Sequence, residues 1–257
     1  NNPRKVSHND DMQGSFLGPV FTQEEIEEQL KKAGAKYEIL SEDDLLDKTS
    51  TDLSLGDAIG WFQGRMEFGP RSLGGRSILG DPRSEKMQKN LNLKVKYRES
   101  FRPFAPSILR EDLNDWFEIN VDSPYMLMVS NIKKDKTIEM NNEQKKLFGI
   151  EKLNIKRSEI PAVTHVDYSA RIQTVHEKTN IKYFKLIKKF KEKTNCPIVV
   201  NTSFNVRGEP IVNTPLDAFN CFMGTGLDKL AIGNCYLDKK SQNSSLTKDY
   251  TKEFELD

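Results

Sequence analysis

An α/β domain is the fold class that this sequence predicts, on three observations. Short apolar runs bounded by glycine or proline, such as residues 58–63 (AIGWFQ) and 197–200 (PIVV), have the length of buried strands. Amphipathic patterns stand between them, the clearest at 180–193, where Ile181, Phe184, Ile187 and Phe190 form one face and lysines the other. Strand and helix signals alternate along all 257 residues, and no internal repeat is evident.

Taken in order, the first 20 residues are polar, with Gly14, Gly18 and Pro19, and read as a loop. Thr22 with Glu25 makes a capping box for a helix whose apolar stripe is Ile26 and Leu30 and which Gly34 ends. Residues 37–40 read as a strand and 41–55 as a second acidic helix, capped by Ser41 with Asp44 three residues on. Residues 1–56 together form an acidic helical lead-in; a main domain is expected over 57–239. There the strand 58–63 enters an arginine-rich loop, and 76–79 reads as a second strand stopped by Asp81-Pro82. Residues 84–95 have helical spacing through Met87, Leu91 and Val95 with Ser84 as cap, while Pro103 and Pro106 exclude a continuous helix over 96–108.

Beyond these, 110–117 reads as a short helix and 125–129 as a strand. The Lys/Glu/Asn-rich residues 131–159 read as an inserted, mobile loop. Strand-and-turn texture returns at 161–175, with His165, Asp167 and Arg171. After the helix 180–193 and the strand 197–200 come a polar turn at 201–210, a helix capped by Thr214 and Asp217, a strand at 230–237 and a disordered tail at 240–257.

Composition is that of an ordinary soluble protein, and no apolar run approaches the roughly 20 residues that span a bilayer. No signal peptide opens the chain, and Cys196, Cys221 and Cys235 lack CxxC spacing, so neither a disulfide framework nor a zinc site is expected and a cytoplasmic setting is. The first residue is Asn1, which suggests a fragment or a processed chain. Net charge is +1, unevenly placed: residues 1–60 hold 6 Lys/Arg against 13 Asp/Glu, and residues 61–110 hold 11 against 4. A local basic centre points to a compact anion such as a phosphate and not to nucleic acid or a membrane.

Three stretches carry candidate chemistry. In 61–83 (WFQGRMEFGPRSLGGRSILGDPR) four arginines, Arg65, Arg71, Arg76 and Arg83, alternate with glycines, so a tightly turning backbone presents guanidinium groups suited to phosphate or carboxylate. Lys96, Arg98 and Arg102 form a KxRxxxR run, and VVNTSFN places Ser203 and Asn205 in a turn after a strand. Each has a bland alternative: a solvated loop, turn side chains that satisfy their own backbone, a structural His165, and an Asp167–Arg171 pair. No P-loop, GxGxxG, HExxH, EF-hand or nucleophile triad is present, and no metal ligand set is assigned. What is left is an electrostatic clamp of cations on phosphates, without a covalent protein intermediate.

Four blocks in order, GWFQGRMEFGPRSLGGRSILGDPR, LNLKVKYRESFRPFAPSILRE, IPAVTHVDYSARIQTV and PIVVNTSFNVRGEPIVNTPLDAF, resemble the C-terminal region of O-carbamoyltransferases of the nodulation-factor and antibiotic type. The likeness runs from about Leu17 to Lys239, with Ser72, Gly75 and Tyr168 standing where the family usually has Ala, Asn and Gly. It implies a YrdC-like open domain with a twisted mixed sheet, and formation of carbamoyl-adenylate from ATP and carbamoyl phosphate, with magnesium. It further implies that Lys96, Arg102 and Arg171 act in catalysis, that Arg98, Ser203 and Asn205 hold ATP or the adenylate, and that Arg71, Arg76 and His165 hold carbamoyl phosphate. Transfer to an acceptor hydroxyl is expected of an actin-like N-terminal domain, in cis or in trans, that this chain lacks. A threonylcarbamoyl-adenylate synthase of tRNA modification, which shares the fold and two motifs, and a non-catalytic nucleotide-binding module are the alternatives.

Overall fold

The structure, a computed structural model, describes residues 10, 12–153, 155–248 and 250, with Ile150 as backbone alone. The lead-in is built as its caps require. Helix α1 (Gln23–Lys32) starts with the reciprocal Thr22–Glu25 capping box, strand β1 is Glu38–Ile39, and α2 (Glu42–Ser54) starts with Ser41 accepting the Asp44 N–H. The lead-in is woven into the domain that follows. Leu30, Leu45, Leu46 and Leu53 lie in the main core, and at roughly 2 kcal/mol for each buried leucine their packing is a large part of the fold's stability.

Strands β2 (Ile59–Phe62) and β3 (Arg76–Gly80) flank the arginine loop, and α3 (Met87–Lys94) follows. The helix begins three residues after Ser84, at a Lys86 N-cap that makes no side-chain cap. Ser84 instead turns its N–H to the Asp81 carbonyl, so the proline turn extends further than the helical spacing suggests. The proline-containing stretch supplies β4 (Ala105–Leu109), where the sequence pattern excludes a continuous helix but marks no strand. Pro106 is tolerated there because the ladder to the neighbouring strand β6 (Ser169–Val175) begins only at Ser107.

Helix α4 (Leu113–Trp116) and β5 (Met128–Asn131) come next. Residues 131–159 hold short helices α5 (Asn142–Lys146) and α6 (Gly149–Leu153) and are pinned at their base. Thr137 bridges Ser158, Ile138 donates to the Arg157 carbonyl, and Ser158 is fully buried. Strand β6 (Ser169–Val175), helix α7 (Ile181–Thr194) with its Asn180 cap, β7 (Ile198–Ser203) and α8 (Pro215–Gly224) with its Thr214–Asp217 box complete the middle of the domain.

The apolar run at 230–237 is a hairpin, β8 (Lys229–Ile232) and β9 (Cys235–Asp238), turning on Gly233 at φ 54°. The supposed tail begins with two ordered turns, Lys239–Ser241 and Ser244–Leu246, and Tyr250 is buried against the core; residues 251–257 lie outside the described residues.

Among the described residues nine strands form one open mixed sheet in the order β1-β9-β8-β2-β3-β7-β4-β6-β5, with β2–β8 and β4–β6 parallel and the other pairs antiparallel. Helix α7 packs over β4 and β7 with α2 against it, and α8 over β2 and β8 with α1 against it. No helix among the described residues is long and apolar enough to cross a membrane.

Candidate functional site

The arginine loop is organised by a residue that sequence reading passed over. Glu67, 5% exposed, accepts the main-chain N–H groups of Leu73 and Gly75 at 2.6 Å and of Arg76 at 3.1 Å. A carboxylate with several backbone donors is a strong staple. The loop is also tied to the sheet. Gln173 Nε2 donates to the Leu73 carbonyl at 2.8 Å, Asn201 Nδ2 to the Ser72 carbonyl at 3.0 Å, and Trp61 Nε1 to the Gly74 carbonyl at 2.9 Å. Gly74, at φ 107°, lets the Tyr183 ring approach to where a Cβ would stand only 2.3 Å away.

This scaffold divides four arginines that look alike in sequence. Arg76, assigned to carbamoyl phosphate by the resemblance, is fully buried. Its guanidinium donates to the carbonyls of Gln63, Gly64, Gly75 and Pro19 at 3.0–3.3 Å and stacks 3.6 Å above the Phe62 ring. It is a strut with no face toward a ligand. Arg83 is held by both Asp81 oxygens, and Arg65 donates to the Gly18 carbonyl. Arg65 and Arg71 are both exposed with no ion pair among the described residues, and Arg71 is the one of the four that also makes no hydrogen bond there.

Arg71 stands close enough to Arg171, on β6, for their like charges to interact. Burial, and after it Arg71, draws the Arg171 guanidinium below its ordinary value. The Asp167–Arg171 pair does not form. Asp167 accepts the Ser169 N–H at 3.0 Å and its hydroxyl at 2.7 Å, closing a turn in which Tyr168 holds φ 66°. That backbone explains why glycine suits position 168. His165 is half-buried with Nδ1 3.1 Å from the Ser169 hydroxyl, and burial lowers its pKa more than Asp167 raises it. Two neighbouring guanidinium groups with no carboxylate paired to either among the described residues have the charge and shape that an anion would match.

The second group gathers around Lys96, 4% exposed. Its Nζ donates to the Ser203 carbonyl, to Ser203 Oγ at 3.2 Å, and to the Asn205 carbonyl and Oδ1 at 2.9 and 2.7 Å. No carboxylate is bonded to it, and burial brings its pKa down to about 7. Ser203 Oγ donates to Asn205 Oδ1 at 2.7 Å, so the distant run and the turn meet as one cluster. Arg98 lies over the Phe104 ring, 5.0 Å from its centroid, and donates to Asn92 Oδ1 at 2.7 Å. Burial, then the charge of Arg102, pulls it to about 10, and Arg207 of the same turn as Asn205 adds a further like charge. Arg102 itself forms an exposed pair with Glu99 at 2.9 Å, a contact of little strength in water.

The two groups share one face of the sheet. Ala105 pairs Asn201, Ser107 pairs Gln173, and residues two apart on a strand point the same way, which aligns Ser203 and Arg171 across β4. Two strand spacings and one pleat repeat put them roughly 12 Å apart. Leu73 and Met126 pack on Ala105 between them. Two clefts open elsewhere. One of about 1200 Å³ lies at the start of α7 beside Arg65, Arg110, His176 and Lys182; the other, about 300 Å³, is lined by His165, Phe101, Pro103 and Arg157. Neither is lined by Arg71, Lys96, Arg171 or Ser203.

The pattern of the family described as Carbamoyltransferase C-terminus matches residues 50–239. The chain is 55% identical, along its whole length, to an uncharacterised protein of Synechocystis sp., of which it covers 42%. It is 40% identical over 89% of its length to nodulation protein NolNO of Sinorhizobium fredii, covering 31% of that protein, and 31% identical over 75% to 3'-hydroxymethylcephem-O-carbamoyltransferase of Amycolatopsis lactamdurans, covering 33%. It thus spans well under half the length of these relatives. A match of this extent, over the strands and turns that carry Arg71, Lys96, Arg171 and Ser203, shows that the chain belongs to the carbamoyltransferase C-terminus family.

Proposed function

We propose that this domain forms carbamoyl-adenylate from ATP and carbamoyl phosphate, for transfer to an acceptor hydroxyl by an actin-like N-terminal domain of a longer, cytoplasmic carbamoyltransferase. The observation that carries the reading is the buried Lys96 ammonium, hydrogen-bonded to neutral oxygens of a turn more than a hundred residues away and, among the described residues, to no carboxylate. Such a cation is completed by a phosphate oxygen that displaces one of its acceptors. Arg98, Arg102 and Lys96 bind the triphosphate, and Ser203 and Asn205 hydrogen-bond the adenylate. Arg71 and Arg171 take carbamoyl phosphate with His165 at its edge, and Arg76 serves only the scaffold.

In this scheme water cleaves carbamoyl phosphate to phosphate and carbamate. A carbamate oxygen then attacks the α-phosphorus of ATP, and pyrophosphate leaves with the electron pair of the broken P–O bond. The domain supplies alignment and charge, since two polyphosphorylated molecules repel each other until cations hold them in line. Magnesium enters this scheme with the nucleotide, as part of the substrate.

The test is ATP–pyrophosphate exchange dependent on carbamoyl phosphate. Lys96→Met and Ser203→Ala are expected to lower it about a hundredfold, the scale of removing one preorganised donor. Undiminished exchange in both variants would remove Lys96 and Ser203 from the reaction, and dependence on bicarbonate and threonine instead would favour threonylcarbamoyl-adenylate synthesis.

A further inference from the structure

The hydrogen bonds that aim Lys96 lead to a residue outside the family match, which ends at position 239. Asn205, which offers Lys96 two oxygens, donates its amide N–H to the Glu209 carbonyl at 2.6 Å. Glu209 folds its carboxylate back to the Val206 N–H at 2.8 Å, so the turn 205–209 closes on itself. The Cys221 thiol of α8 and the Tyr250 hydroxyl stand beside that carboxylate and draw its pKa down against the rise that burial imposes.

Tyr250 is 6% exposed, and its ring lies so flat on Gly224 that a Cβ there would come within 2.1 Å. Gly224 also accepts the hydroxyl of Tyr97 at 2.8 Å. Tyr97 follows Lys96 and holds φ 47°, a left-handed backbone that a tyrosine keeps only when its surroundings impose it. The end of α8 therefore anchors both the segment that carries Lys96 and the residue that holds Glu209.

We infer that Tyr250 is a positioning residue of the Lys96 site: it holds the Glu209 carboxylate against α8, which fixes the 205–209 turn and, through Asn205, the direction of the Lys96 ammonium. The inference rests on the reading of Lys96 as part of the reaction site. Lys96 faces Arg98 from its own segment, Glu209 from the turn and Cys221 from α8; Glu209 faces Lys96, Cys221 and Tyr250. Burial raises the Glu209 pKa, and each donor to its carboxylate opposes that rise. Losing the Tyr250 hydroxyl thus weakens the anion that helps to keep Lys96 protonated.

The experiment uses the full chain with lysines ¹³C-labelled at Cε, the Lys96 signal being assigned by its loss in Lys96→Arg. Tyr250→Phe, which keeps the ring on Gly224, is expected to move the Lys96 titration midpoint to lower pH, and Glu209→Gln to move it further. Exchange dependent on carbamoyl phosphate is expected to fall about tenfold in kcat in both variants, as for a misaligned reacting group, with KM for ATP nearly unchanged. A wild-type chain without exchange, but with a Lys96 midpoint that responds to Tyr250→Phe, would sink the assigned reaction and leave the positioning role standing. An unchanged midpoint in both variants, each folded by circular dichroism, would overturn the positioning role.

Discussion

Burial brings the Lys96 ammonium from an ordinary 10.5 to about 7, and the direction has two consequences. Between those values the unfolded chain binds more protons at this residue than the folded one, so its contribution to stability rises with pH across that window and is least favourable below about 7. A polyanion at the ammonium reverses the shift, so binding draws in a proton. Calorimetry of pyrophosphate at pH 8, in buffers of differing ionisation enthalpy, is expected to show uptake of close to one proton, to show almost none at pH 6, and to show none at either pH in Lys96→Met. The arginines separate at the same scale. Arg76→Met orphans four carbonyls and is expected to lower unfolding stability by about 3 kcal/mol in urea titration, whereas Arg171→Met relieves a like-charge contact and is expected to lose exchange with stability unchanged. Sequence offered no means of telling Arg76 from Arg71, since only burial and the Glu67 staple distinguish them. It did single out Lys96, Ser203 and Asn205, which the structure brings into hydrogen-bond contact, because a strand that ends in a hydroxyl-rich turn has a local signature.

Elements with local signatures were the legible ones. The Thr22, Ser41 and Thr214 caps each open the helix that they mark, since a cap is a contact between residues three apart, whereas Ser84 is drawn into the proline turn and caps nothing. What depended on distant partners was missed. The hairpin of β8 and β9 hides in a continuous apolar run because both strands are buried and only Gly233-Asn234 marks the turn. Strand β4 hides behind two prolines, and the order of residues 131–159 rests on a bridge across 21 positions. The arginine loop is the element where this matters most for function. Gly74→Ala must both strain φ 107° and meet the Tyr183 ring, so it is expected to cost about 2–3 kcal/mol in thermal or urea unfolding and to lower exchange by displacing Arg71.

At the scale of the whole molecule, the boundary between lead-in and domain dissolves. The charge shift near residue 57 is real in sequence, but acidic faces and apolar faces occur on the same helices, and only the second kind decides what packs with what. Strand β1 closes the sheet edge on β9, Asp52 accepts the Tyr236 hydroxyl at 2.6 Å, and Lys185 and Lys193 of α7 pair with Glu42 and Asp47 of α2. The charges of the lead-in thus meet those of α7 along a seam whose interior is leucine. The surface pairs add little, so removing the segment acts through lost burial. A chain that begins at Asp57 would leave the α7 and α8 faces uncovered by α2 and α1, an apolar area far beyond what a soluble monomer exposes. It is expected to express as insoluble material or, if recovered, to bind hydrophobic dyes and lack cooperative unfolding. Co-expression with residues 1–56 is expected to restore a soluble complex, because the missing faces are supplied whether or not the backbone is continuous. A soluble, cooperatively folded 57–257 chain on its own would show that the acidic segment is an appendage after all.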